Sequence, residues 1–408
     1  MPTLRGAAGP ELLIGCAVSS RDLRDPRLVS LISQQFSCLT PDNEMMPSYL
    51  VDDAGRFTFA RADRVARFAR KHELPLFGHM LVWHHETRAW LFADRAGQPL
   101  PRAQALANLE RHIRTVAGHY RGRVKAWAVV NEAISDKPEE YLRPTPAFRA
   151  IGVDYVAAAF RFARTADPSA ELYYNDYNIE EPEKLAKTLR LVRSLREQGA
   201  AVDAIGIQGH WHLDYPDVAI IRDAVRAFRE VGLKVMITEL DVDVLPRTTS
   251  GADMVSVEEG PNPFPDGLPD EMQQRLADRY REIFATLLAE PGVTMITFWG
   301  IDDDHSWLND FPVRNRTNHA LLFDREAKPK PAFFAVIDAL VRAKTARAER
   351  QRPARATPPP RTAPSRAPRG CFHRRRAATA EVSRDGAPSP RCRFRKTKRP
   401  ERIAPARN

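Results

Sequence analysis

Eight short apolar runs, separated by amphipathic stretches, recur through residues 1–340. They are LLIGCAV (12–18), FSCLT (36–40), LPLFGHMLVW (74–83), VKAWAVVNEA (124–133), ELYYNDYN (171–178), AIGIQGH (204–210), KVMITELDV (234–242) and TMITFWGI (294–301). Runs of this length, rich in Val, Ile and aromatic residues, read as buried strands. Between them, 104–120, 147–166, 183–199 and 218–232 place apolar residues three and four apart, the spacing of one buried helix face. Gly199 and Gly232 close the last two of these, as a left-handed C-cap requires. Strand–helix alternation repeated eight times predicts an α/β fold, the (β/α)8 TIM barrel. A doubly wound open sheet is the alternative, but neither a GxGxxG nor a P-loop pattern accompanies it.

A barrel places the C-terminal ends of its strands on one rim, where catalytic groups gather. Seven of the eight runs finish in polar or Trp residues. The second continues into Asp42-Asn43-Glu44 and the third ends at His79 and Trp83-His84. The fourth ends Asn131-Glu132 and the fifth Asn175-Asp176-Tyr177-Asn178. The sixth ends Gln208-Gly209-His210 and the seventh Glu239-Leu240-Asp241. The eighth reaches Trp299, with Trp307 in the loop beyond. One polar strand end is ordinarily a solvated edge, whereas seven on one rim describe a pocket.

Charge separates the chain into two parts. Residues 341–408 hold 21 Lys/Arg against 4 Asp/Glu, a net +17, which leaves residues 1–340 at −7. The basic pI therefore belongs to an Arg-, Pro- and Ala-rich tail, too poor in large apolar residues to offset its ordering entropy. Residues 1–344 are expected to form the catalytic barrel and 345–408 a disordered tail. A reading of the whole chain as a nucleic-acid binder misplaces its charge. No apolar stretch approaches the ~20 residues of a membrane span, and no apolar segment follows a basic start as a signal peptide needs. Cys16 and Cys38 fall in apolar runs and Cys371 and Cys392 in the tail, with no CxxC spacing; the first two read as small core residues.

The pocket's composition points to a carbohydrate. Trp faces stack on sugar rings, and amides and carboxylates bind hydroxyls. Two carboxylates flanking a glycosidic bond are what its hydrolysis needs. Glu132 and Glu239 end strands that lie nearly across the barrel mouth from each other. No metal-ligand triad, no G-x-S-x-G nucleophile motif and no cofactor fingerprint is present, so no metal or cofactor is expected.

WAVVNEA, ITELDVD, FGHMLVWH, YYNDYN, GIQGH and ITFWGIDDDHSW together resemble the family 10 glycoside hydrolases, the (β/α)8 endo-β-1,4-xylanases, over about 13–340. The resemblance implies a retaining mechanism, with Glu132 as acid/base and Glu239 as nucleophile, their carboxyls roughly 5–5.5 Å apart. It implies that Asn131 binds the 2-hydroxyl of the −1 sugar, that His210 hydrogen-bonds Glu239, and that Asp241 orients His210. His79, Trp83 and Gln208 are placed around the −1 sugar, Asn43 and Glu44 at −2, and His84 among the substrate-binding residues. Trp299 and Trp307 form a wall over the glycone, and Tyr177 sits near the leaving group. A Trp-lined, desolvated site and the Glu239 charge are expected to raise the pKa of Glu132. The implied substrate is xylan or its oligosaccharides, bound by a monomer without nucleic-acid or membrane partners.

Three features depart from the family pattern. Met46 stands where a lysine usually binds the −2 sugar. A cysteine pair common after the seventh strand is absent. Most members are secreted, so the resemblance implies an extracellular or periplasmic enzyme; this sequence shows no signal peptide, which a missing true start or an intracellular enzyme acting on imported oligosaccharides would each explain. A related retaining β-glycosidase with another sugar preference, and a non-catalytic carbohydrate-binding barrel, are the competing functions. Arg314 and Arg316 are read as surface arginines, with acidic xylan substituents as the functional alternative. The insertion 246–271 follows the seventh strand on the active-site face.

Overall fold

A computed structural model describes residues 1–246 and 260–351. Nine parallel strands are present among them: β1 Leu13–Val18, β2 Cys38–Pro41, β3 Phe77–Gly78, β4 Ala126–Asn131, β5 Glu171–Asp176, β6 Ala204–Ile207, β7 His210–His212, β8 Lys234–Asp243 and β9 Val293–Phe298. Eight of them run in the order β2-β1-β9-β8-β6-β5-β4-β3. A parallel bridge between Leu39 and Leu76 joins β2 to the residue before β3 and brings the two ends of the sheet together. The result is the expected (β/α)8 barrel.

The strands alternate in what they bury. In β4, Ala126 and Ala128 join Cys38, Phe77, Tyr173, Ala204, Met236 and Met295 inside the barrel. Trp127 and Val129 face the surrounding helices. Such alternation is the period-two signature of a strand covered on both sides. Trp127 needs room, and Gly78 supplies it: a β-carbon there would lie 2.1 Å from the indole.

Eight helices return the chain between strands or close it after the last: Pro26–Gln35, Ala60–Lys71, Arg102–His119, Tyr155–Ala166, Pro182–Glu197, Val218–Glu230, Asp270–Ala289 and Pro331–Gln351. Asp25 and Asp217 cap two of them through their carboxylates, which accept from the Arg27 and Ala219 amides at 2.8 and 2.7 Å. Gly199 and Gly232 are left-handed, at φ 66° and 78°, just beyond the helices they were expected to end. The 147–166 stretch is not one helix. Gly152, at φ 100°, separates Pro146–Ile151 from Tyr155–Ala166. The final helix continues to Gln351, past the boundary placed at 344. The rest of the tail, and residues 247–259 of the insertion, lie outside the described residues.

The insertion's return, from 260 onward, is tied to the loop after β9. The Thr317 amide donates to Asn262 Oδ1 at 3.0 Å, and a His319 ring nitrogen meets the Phe264 carbonyl at 3.0 Å. Cys16 and Cys38 are buried free thiols, as expected of core residues. Among the described residues no helix is long and apolar enough to cross a membrane.

Candidate active site

β8 is the longest strand, and its last residues carry Glu239 and Asp241. Two positions apart on a strand, they point the same way. β6 stops at Ile207, and Gly209, at φ 83°, turns the chain so that His210 starts a separate strand. That strand pairs His210 with Asp241 and His212 with Asp243. The register explains the contact it makes: His210 Nδ1 lies 3.0 Å from Asp241 Oδ2, and its Nε2 3.3 Å from Glu239 Oε2. Trp307 donates from Nε1 to the same Asp241 oxygen at 2.7 Å, and its ring lies 4.8 Å from that of His210. Trp307 therefore anchors Asp241 as well as walling the site.

Glu239 is buried and held from three directions. Asn175 donates to Oε1 at 2.7 Å, His210 meets Oε2, and His79 Nε2 lies 4.0 Å away. Burial pushes the Glu239 pKa up, but the two imidazoles and the Asn175 amide outweigh it and hold the carboxyl below its ordinary value. His79 is itself depressed by burial. Burial works against a charged His210 too, yet Asp241 and Glu239 drive it up to about 10. The standing cation beside Glu239 is therefore His210.

Glu132 takes a conformation that a strand does not provide. At φ 55° it sits in the left-handed region, which costs a non-glycine residue on the order of 1 kcal/mol. The turn is stitched down on both sides. The Glu132 amide donates to the Asn175 carbonyl at 2.9 Å. The Tyr174 hydroxyl accepts from the Ala133 and Ile134 amides at 2.9 and 3.0 Å. Arg143 Nε donates to the Glu132 carbonyl at 3.2 Å. The carboxyl itself receives Trp83 Nε1 at 2.8 Å on one oxygen, and Gln208 at 3.0 Å and Asn131 at 3.2 Å on the other.

Glu132 is pushed up to about 7 by burial first and by the Asp176 charge second, against the donors Gln208 and Trp83. Glu239 adds only a smaller push. Both expected causes therefore act, burial most strongly; the Asp176 charge, which was not expected, adds more than Glu239, and the Trp83 indole N–H works against the rise.

Amides join the two carboxyls. Asn175 Nδ2 donates to Asn131 Oδ1 at 2.9 Å as well as to Glu239. Gln208 Nε2 reaches the same Asn131 oxygen at 3.2 Å. Thr238 donates to Asn175 Oδ1 at 2.6 Å, fixing which way the amide faces. Gly206 leaves the space for it; a β-carbon there would lie 2.2 Å from that oxygen.

The remaining expected residues are placed as follows. The Trp299 and His79 rings meet edge to face at 4.9 Å. Glu44 is buried and accepts from the Ser20 amide through Oε1, while its Oε2 has no partner. Asn43 turns its amide onto Asp42. Burial, then the charges of Glu44, Asp22 and Glu239, push Asp42 up to about 7. Met46 is buried at the top of the barrel core, in one cluster with Met80, against which Trp83 packs. Tyr177 donates to Asp136 at 2.6 Å and stacks under the Lys184 ammonium at 3.7 Å. His84 lies beside His85 next to Glu132, with its Nδ1 buried and unpartnered. Arg314 is exposed, but Arg316 is buried 3.8 Å from Asp243, so it is not a surface arginine.

Sequence reasoning gave no role to Asn175, to Asp176, or to the ion-pair cluster of Asp136, Arg143 and Lys184 behind Tyr177. The YYNDYN motif contained the first two. Nothing in the sequence pairs Arg143 or Lys184 with them.

The family model described as glycosyl hydrolase family 10 matches residues 4–339. A β-1,4-xylanase of Dictyoglomus thermophilum is 37% identical over 339 residues, covering 83% of this chain and 91% of that one. An endo-1,4-β-xylanase of Geobacillus stearothermophilus is 38% identical over 339 residues, covering 83% and 98%. A crystal structure of a xylanase from Paenibacillus barcinonensis, complexed with a conduramine derivative, superposes with a TM-score of 0.76 at 36% identity, covering 83% of this chain and 98% of that one.

Proposed function

The chain belongs to glycosyl hydrolase family 10, and from that premise we propose that it is a retaining endo-1,4-β-xylanase. The observation that carries the reading is the opposite tuning of two buried carboxyls on one rim: Glu132 is raised to about 7 and Glu239 is held low. A proton donor and an ionised nucleophile are the pair that glycoside hydrolysis by double displacement needs.

In the first step Glu239 attacks the anomeric carbon while Glu132 protonates the departing oxygen. Cationic His210 keeps Glu239 ionised, and Asp241 with Trp307 keeps His210 charged and oriented. Formation of the glycosyl ester neutralises Glu239 and removes its push on Glu132. Glu132, now a base, takes a proton from water, whose oxygen bonds to the anomeric carbon as the bond from that carbon to Glu239 breaks; Glu239 leaves as a carboxylate and the configuration is restored. Asn131 lies beside the carboxyl pair, and in this reading it holds the 2-hydroxyl, where contacts strengthen in the transition state.

Proton NMR of the first products from a linear xylo-oligosaccharide tests the proposal. The β-anomer should appear first and later equilibrate with the α. Initial α-anomer would overturn retention, and no cleavage of xylan or its oligosaccharides would overturn the substrate.

A further inference from the structure

We propose that His84, His85 and Glu132 form a site for a divalent transition-metal ion of the Zn2+ type, which occupies the carboxyl assigned as acid/base. The topology makes the site. Past β3 the chain stays beside β4, with Val82 bridged to Val130, so the residues that follow run alongside the end of β4 where Glu132 turns. One ligand atom each from His84, His85 and Glu132 lies within 4.8 Å of the others. The two imidazoles are stacked at a tilt, their centroids 4.1 Å apart.

The chemistry of the set fits. Two imidazoles and a carboxylate are borderline ligands suited to zinc, with a fourth position left open to water. Ligands at ~2.1 Å from a tetrahedral ion stand about 3.4 Å apart, so the widest gap in the set, up to 4.8 Å, must close by as much as about 1.4 Å. His85 is exposed and free to supply that movement. His84 Nδ1 has the opposite character: it is buried with no hydrogen-bond partner. Buried polar atoms are nearly always paired, so this nitrogen wants an occupant.

Neighbouring cations do not forbid an ion. Arg143 and Lys184 lie close by, but Asp136 engages both, at 2.5 and 2.8 Å, and Asp176 takes Lys184 at 2.9 Å. On binding, the ion displaces any proton on Glu132 to solvent. No bond within the protein is made or broken. Binding rests on this geometry alone. Inhibition of hydrolysis rests in addition on the acid/base role proposed for Glu132.

The test uses the full chain and zinc chloride alone, by isothermal titration calorimetry, comparing it with His85→Ser. His85 has no part in the catalytic machinery, so the variant should hydrolyse xylan at the unaltered rate. The expected result is that the variant loses about tenfold or more in affinity for one zinc equivalent, with any sites elsewhere common to both proteins. The zinc concentration that halves xylan hydrolysis should rise in the same proportion. Equal affinity in the two proteins, or no zinc binding to the parent, would overturn the site. A binding difference without inhibition of the parent would support the site and count against the acid/base role of Glu132.

Discussion

Asn175 Nδ2 lies 2.7 Å from Glu239 Oε1 and, through its second hydrogen, 2.9 Å from Asn131 Oδ1. One amide thus ties the nucleophile's carboxyl to the asparagine that precedes the proton donor. With Thr238 donating to its oxygen, Asn175 spends its hydrogen-bonding capacity on these three partners. Asn175→Ala should therefore cost both activity and stability. Loss of a positioned donor in a dry site is expected to lower kcat by about 10²-fold. Glu239 Oε1 loses its donor, while Asn131 Oδ1 keeps Gln208 and Thr238 keeps the Ile207 carbonyl; the loss should cost roughly 1–3 kcal/mol, read as a lower melting temperature. A variant with full activity would remove Asn175 from the machinery.

How much of this was legible in the sequence depends on which contacts are local. The rim residues were, because a strand's end is a local feature and the barrel collects eight of them at one height. Glu239 and Asp241 follow from a single strand's alternation. The pairing of His210 with Asp241 was implied by family resemblance, but its cause, a separate strand seated on the end of β8, was not visible. The split at Gly152 was hidden because the apolar spacing continues on both sides of it. Asp176, Lys184 and Arg143 were illegible for another reason: charges far apart in sequence meet only once the barrel has closed. Asp176 nonetheless contributes more than Glu239 to raising Glu132.

If Glu132 is the proton donor, its removal should matter in proportion to the leaving group's need for a proton. Glu132→Ala should lose most activity on xylan but keep glycosylation of an aryl xyloside with an acidic phenol. Added azide, a small nucleophile needing no base, should then restore turnover and yield a glycosyl azide. Glu239→Ala should be inactive on both substrates without azide. Equal, unrescued losses in the two variants would break the assignment.

The pH profile follows from the two carboxyls. The active form has Glu132 protonated and Glu239 ionised. kcat/KM should therefore fall as pH rises through about 7, the value for Glu132, and fall on the acid side below the ordinary glutamate range. Asp176 is negative and raises Glu132, so Asp176→Asn should move the alkaline limb to lower pH by roughly one unit. The acid limb should stay in place. A limb that does not move would show that the Asp176 charge is neutralised by Lys184 before it reaches Glu132.

Asp241→Asn makes the complementary test on the other limb. Asp241 is the largest influence keeping His210 charged. Without it the imidazolium should lose its proton nearer neutrality, and Glu239 should keep His79 but lose one of the two imidazoles that lower its pKa. The acid limb of kcat/KM should rise toward higher pH while the alkaline limb holds. A uniform loss of rate with an unchanged profile would mean that Asp241 only orients the ring.

Met46 lies in the barrel's upper core at 5% exposure, close in the chain to a buried carboxylate, Glu44, whose Oε2 has no partner. The neighbouring Asp42 is pushed up to about 7, by burial first and then by surrounding negative charge. This corner therefore gathers buried negative charge. Met46→Lys should place an ammonium among these carboxylates, pair the free Glu44 oxygen and pull Asp42 back toward its ordinary value. Because the contact lies away from the bond being broken, it should strengthen ground state and transition state alike. KM for oligosaccharides long enough to reach the second glycone position should fall, with kcat nearly unchanged, while a single-sugar aryl xyloside should show no effect. A rise in KM, or an equal effect on both substrates, would show that the methionine is itself the glycone contact.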